Sequence, residues 1–131
     1  MLLSVPMLGR SQVNDDWKLY FNHKQIASSK ADAVQTVAVH KTDTATLRFE
    51  FAAADTAFKR KIVVMNEQRN GIDSKQLTAN AIEAVFSIAE LYHQSNGKDL
   101  TFYIVNTPAD PAKAALVRVA PKPICKLQWV E

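Results

Sequence analysis

The side chains able to do chemistry are few, and they sit far apart in the chain. His23 falls in a turn, His40 at a strand end and His93 late in a helical stretch, and no spacing joins them into a metal site. There is one cysteine, Cys125, so an internal disulfide is impossible. It alternates with Leu127 and Trp129, which is the rhythm of a packed side chain. A reactive thiol needs an accessible, electropositive setting, and the adjacent Lys126 belongs to the opposite face. Glu83 and Glu90 share the polar side of one helical stretch. Carboxylates so placed can line a groove for acid–base work; they also suit a solvated helix face. Lys59-Arg60-Lys61 is the densest basic patch, but in a strand its members alternate sides. It offers no single anion-binding surface and no interleaved exposed aromatics. Trp17 and Trp129 have the ring area to stack on a sugar or base, yet the strand pattern around each directs it into a core.

The missing motifs narrow the field further. Gly9, Gly71 and Gly97 are the only glycines, so no glycine-rich phosphate cradle exists. There is no Gly-x-Ser-x-Gly elbow, and no His-Glu-x-x-His or paired-cysteine spacing. No catalytic, cofactor-binding or metal-ligating residue is assigned, and no cofactor is expected. A chain of 131 residues suits one domain with one core, and 47% hydrophobic residues argue against disorder. A net charge of +3 with no long run of one sign is too mild to argue for nucleic acid.

The elements that would position these residues are mostly strands. Trp17, Leu19 and Phe21 alternate, and polar Asn22–Gln25 turns the chain toward a short return strand at Ile26. Val34, Val37 and Val39 lie in a run ending near His40. Lys41–Thr44 reads as a turn before Ala45–Phe51, where Leu47, Phe49 and Phe51 face in and Arg48 and Glu50 face out. These two runs are expected to form a hairpin. Phe58–Met65 is the next strand, and Asn70-Gly71 a turn signal. Glu67–Gln76 reads as a polar, mobile loop. Leu100–Val105 is apolar or aromatic at nearly every position. Asp110 caps a short turn with Pro111 at its first position. Leu116–Val119 and Ile124–Val130 complete the set, with Pro121 and Pro123 between them.

The segment Leu77–Gln94 is the one predicted helix. Ile82, Val85, Phe86, Ala89 and Tyr92 fall on one helical face. Thr78 suits the N-cap, Leu77 and Ile82 a hydrophobic staple, and Asn96-Gly97 the close. Ala84, Ile88 and Leu91 widen its apolar side, so it is expected between two neighbours, either within its own fold or against a partner. About seven strands, one helix and no βαβ alternation predict a mainly β fold. The expected architecture is an Ig-like β-sandwich with the helix inserted as a crossover. The alternative is an α+β fold with the helix across one sheet face.

Met1–Leu8 is apolar, Gly9–Gln12 small and polar, and Asn14–Asp16 acidic. This order is similar to the back half of a secretory signal without its basic front. Residues 1–13 therefore read as a signal-peptide remnant or disordered N-terminus, and 14–131 as a single sandwich domain. An apolar edge strand is the other reading of the start. No stretch is apolar for long enough to span a membrane. The run Trp17–Ile26 after that start, and Leu116–Val119 with Cys125 in the last strand, resemble small exported bacterial β-sandwich proteins of unknown function. The resemblance covers about a fifth of the chain. It implies an exported sandwich and carries no site residues.

The leading expectation is an exported, periplasmic or extracellular, non-enzymatic binding or protein-interaction module. Contact would run through loops or a sheet edge, with Glu67–Gln76 and the proline-bounded final strand as first candidates. The partner would be another protein, or a second copy through a sheet edge or the helix, and not nucleic acid. The alternatives are an enzyme with a site assembled from distant residues and a self-assembling structural subunit.

Overall fold

Alternating apolar runs bury one face each, so they need an opposing layer. The structure, a computed structural model, describes residues 16–30, 34–40, 45–52, 58–77, 82–116 and 120–130. Among them, β1 (Trp17–Phe21), β2 (Lys24–Ser28), β4 (Thr46–Phe51) and β7 (Glu83–Ser87) form a sheet in the order β2-β1-β4-β7. The strands β3 (Gln35–His40), β5 (Phe58–Asn66), β6 (Gly71–Leu77), β8 (Leu100–Pro108) and β9 (Lys122–Val130) form a second, in the order β3-β9-β8-β5-β6. Neighbours are antiparallel except β3 and β9, which run parallel. Two short helices are present, α1 (Ile88–Ser95) and α2 (Pro111–Ala114). The fold is a mainly β two-sheet sandwich, with α1 carrying the chain from β7 in one sheet to β8 in the other.

The inward alternation is the one the sequence shows. Leu19, Leu47, Phe49 and Phe86 of the first sheet, and Ile62, Val64, Phe102, Ile104 and Leu127 of the second, are buried. Phe49 is the hub. Its ring lies 5.8 Å from Trp17, 6.3 Å from Phe86 and 4.9 Å from Phe102 across the sandwich. Aromatic pairs at such separations add to the area they bury.

Four expectations are corrected. First, the helix starts at Ile88, and Glu83–Ser87 is a strand paired with β4. Ala84 and Phe86 point in while Glu83 and Val85 point out, a period of two hidden in a stretch that also satisfies helical spacing. Ser87 is the N-cap: its hydroxyl accepts from the Glu90 amide at 3.3 Å. Ser87-Ile88-Ala89-Glu90 has the spacing of a capping box, a sharper start signal than Thr78, which lies outside the described residues. Second, β3 and β4 do not form a hairpin. β4 pairs with β1 and β7, and β3 joins β9 in the opposite sheet. Third, the expected loop Glu67–Gln76 is only a tight turn followed by β6. The Asn66 side chain accepts from the Gln68 and Asn70 amides at 3.0 and 2.9 Å, and returns the chain along β5. Fourth, Leu116 is in a turn and 85% exposed, not in a strand; Val117–Val119 lie outside the described residues, as do 1–13 and the Lys41–Thr44 turn.

The close of α1 follows expectation. Asn96 (φ 54°) and Gly97 (φ 76°) are both left-handed, and their amides bond back to His93 and Tyr92 carbonyls. At Asp110 the carboxylate accepts from the Ala112 amide at 2.9 Å, with Pro111 opening α2.

Two substitutions test this packing. Phe49→Ala is expected to cost about 3–5 kcal/mol in urea unfolding, whereas Val85→Ala on the outer face changes stability by less than about 0.5 kcal/mol. Gly97→Ala must hold an L side chain at positive φ, with its Cβ 3.2 Å from the Tyr92 hydroxyl. The expected loss is about 1–2 kcal/mol, read as a lower urea midpoint at unchanged slope.

Candidate functional site

The residues singled out by type do not converge. His23 lies in the β1–β2 turn at φ 111°, His40 ends β3, and His93 is in the last turn of α1. All three are exposed; on the short helix Ile88, Leu91 and Ser95 take the inward face. Among the described residues no group of three His, Cys, Asp or Glu is placed to hold a metal ion.

Glu83 and Glu90 do not share a helix face, because Glu83 is on β7 and Glu90 in the first turn of α1. Arg48 bonds Glu83 at 2.6 Å and Glu50 at 3.2 Å, and its guanidinium lies 4.3 Å over the Tyr20 ring. The hydrogen bond to Glu83 is the main cause that raises the Arg48 pKa further. This network ties β1, β4 and β7 together on the outer face of the first sheet.

Lys59 and Lys61 point outward, and Arg60 points in, 2% exposed. The Arg60 guanidinium donates to Asn106 at 3.3 Å and to the Ala52 carbonyl at 3.0 Å. It also lies 5.4 Å from the Phe51 ring, and these partners offset the cost of taking the cation out of water. Trp17 is in the core. Trp129 is half-buried: its indole N–H donates to the Lys98 carbonyl at 2.8 Å, and it meets Tyr92 edge-on at 5.0 Å. Both tryptophans therefore serve packing.

Cys125 is fully buried opposite Phe102, and burial pushes its thiol up to about 12. A cleft of about 420 Å³ opens beside Trp17 and Phe51. Its lining includes Lys18 and Lys30 together with Asp16 and Glu50, charges of both signs.

What the fold does single out is a sheet edge. An end strand presents a row of N–H and C=O groups on its far side, and proteins blunt such edges with charge, bulges or brevity. β2 has five residues, Lys24 and a bulge opposite Leu19/Tyr20. β7 has five residues and Glu83. β6 has a bulge against Val64/Met65 and an inward-facing Lys75, whose ammonium sits 5.4 Å over the Phe86 ring.

β3 carries none of these devices. Gln-Thr-Val-Ala-Val-His has no Asp, Glu, Lys, Arg, Pro or Gly, and its six pairs with β9 run without a break from Gln35↔Cys125 to His40↔Val130. Val39 is buried and Val37 half-buried, while Thr36, Ala38 and His40 are exposed on the outer face. The Gln35 side chain accepts from the Ser28 amide at 3.0 Å, which fixes the start of the strand. Among the described residues no strand pairs with the far side of β3. A neutral β-rich run between Lys30, Asp32, Lys41 and Asp43 was the available sequence signal.

No protein family, curated protein or solved structure matches the chain. The surface reading therefore stands on this geometry alone.

The Cys125 environment gives a pH prediction. The unfolded thiol ionises near 9 and the folded one only near 12, so the unfolded chain releases its proton first. The contribution is intact below about pH 9 and falls as pH rises toward 12, by about 1.4 kcal/mol per pH unit. Cys125→Ala is expected to remove that part of the slope in urea unfolding between pH 8.5 and 10.5 (roughly the accessible part of the window). Native protein should also resist iodoacetamide at about pH 8 and react once unfolded in urea.

Proposed function

We propose that this protein is an exported, non-enzymatic interaction module that engages a partner by strand addition along β3. The observation that carries the reading is the contrast between edges: three are guarded by charge, bulge or length, and Gln35–His40 is not. Strand addition draws affinity from main-chain bonds and specificity from alternate side chains. On β3 those would be Val37 and Val39 toward the core, and Thr36 and Ala38 toward solvent. Export is supported by the apolar-then-small order of Met1–Gln12 and by the resemblance of Trp17–Ile26 to small exported sandwiches.

Titration of isotope-labelled protein with a neutral extended peptide, Thr-Val-Thr-Val-Thr-Val, tests the edge. Shift changes and amide protection are expected in β3 and its neighbour β9, with β6 and β7 unaffected. Changes confined to the Trp17 cleft, or none at all, would overturn the proposal. Fractionation of a bacterial host expressing the full chain tests the address, and recovery wholly in the cytoplasm counts against export.

A further inference from the structure

We infer that Asn70 is a site of spontaneous deamidation through the Gly71 amide, and that the fold protects the chain's other Asn-Gly pair, Asn96-Gly97. The inference is independent of the β3 reading. In the reaction the Gly71 amide nitrogen gives its proton to solvent base and attacks the side-chain carbonyl carbon of Asn70. The new C–N bond closes a five-membered imide. The bond to the side-chain nitrogen breaks, and that nitrogen takes a proton from water and leaves as ammonia. Water then opens the imide at either carbonyl, giving aspartate or, with one methylene added to the main chain, isoaspartate. A following glycine favours the attack because it has no Cβ to obstruct the approach. By sequence the two pairs are therefore alike.

Both asparagines are exposed, and neither carboxamide makes a hydrogen bond among the described residues. The glycine amide is what differs. At the close of α1 the Gly97 amide donates to the Tyr92 carbonyl at 3.1 Å, flanked by the Asn96 amide on His93 and the Lys98 amide on Ser95. The attacking atom is committed as a donor inside a run of capping bonds. At the β5–β6 turn the Asn66 amide donates to the Asn70 carbonyl at 3.1 Å, which makes these two a bonded pair. Bonded and non-bonded pairs alternate in an antiparallel ladder. The next pair, Met65↔Gly71, is therefore non-bonded, and the Gly71 N–H is directed away from β5. β6 ends its sheet, and among the described residues no strand pairs with that side. Asn70 itself is held only by Asn66, whose side chain also accepts from the Asn70 amide at 2.9 Å. Contacts at an exposed hairpin tip open at the low end of a fold's free-energy range.

Incubation of the full folded chain in mildly alkaline buffer, then digestion at acidic pH and mass mapping of Asn70 and Asn96, tests this. A parallel incubation in urea supplies the unfolded rates. In the folded chain Asn70 is expected to convert faster than Asn96 by about tenfold or more, since no capping bond has to open at its glycine amide. Aspartate and isoaspartate should both form. In urea the two rates are expected to agree within about threefold, because only the flanking side chains then differ. Gly71→Ala adds a Cβ that meets nothing within 4 Å, at a residue that is not left-handed. The variant keeps the hairpin, checked by circular dichroism, and crowds the attack, so conversion at Asn70 is expected to fall about tenfold with Asn96 unchanged. Asn96 converting as fast as Asn70 in the folded chain overturns the inference, as does an inert Asn70 there while the unfolded chain reacts. A folded Gly71→Ala that converts at the wild-type rate also overturns it, because closure at that amide would be slowed by the added carbon.

Discussion

Contact between Phe49 and Phe102, 4.9 Å apart at the ring centres, is the point through which the two sheets are held face to face. Each ring is buried, and each belongs to an inner strand of its sheet. Phe49 collects Trp17, Phe51 and Phe86 from its own layer, so the same cluster sets the register of β1, β4 and β7. A one-residue slip of β4 would turn Leu47, Phe49 and Phe51 to solvent and Arg48 and Glu50 inward. The outer ion network of Arg48 with Glu50 and Glu83 then sits where the aromatic register leaves it. Surface pairs of this kind add little by themselves; here they report an alignment that apolar packing has already imposed.

The same constraint explains why the groups with reactive potential are spent on structure. Cys125 fills the layer beneath Phe102, and Arg60 is drawn inward by its place between Lys59 and Lys61. Trp129 is pinned by the Lys98 carbonyl and the Tyr92 ring, where α1 meets β9. Each is fixed by alternation within its strand.

Alternation made β1, β4 and β9 legible from the sequence, because each buries close to every second side chain, while β5 and β8 showed as β-rich apolar runs. β6 escaped because, as an end strand, it buries only Leu77 fully and so lacks the rhythm. Glu83–Ser87 was hidden by a coincidence of periods: Ile82, Val85, Phe86, Ala89 and Tyr92 satisfy a helix, although Ala84 and Phe86 are the buried pair. The helix stop at Asn96-Gly97 was readable since left-handed backbone has a residue preference, and the start was readable only through Ser87 and Glu90. Partner choice was not readable at all. Nothing local in Gln35–His40 points to Cys125–Val130, and which strand ends a sheet depends on those long-range pairings. The candidate edge therefore emerged only with the topology, although its neutral composition was visible beforehand.

The parallel pairing of β3 with β9 has a consequence for how the chain acquires its shape. β9 is wedged between β3 and β8, yet it is made after both, and long after β3. Until residues 122–130 have left the ribosome, β3 has no ladder to join and β8 keeps an open flank. Non-local pairings of this sort incur loop-closure entropy before contacts repay it. The last of the described strands thus behaves as a keystone: the uncharged segment Gln35–His40 finds its ladder only when Lys122–Val130 arrives, a long-range closure of the kind that slows folding.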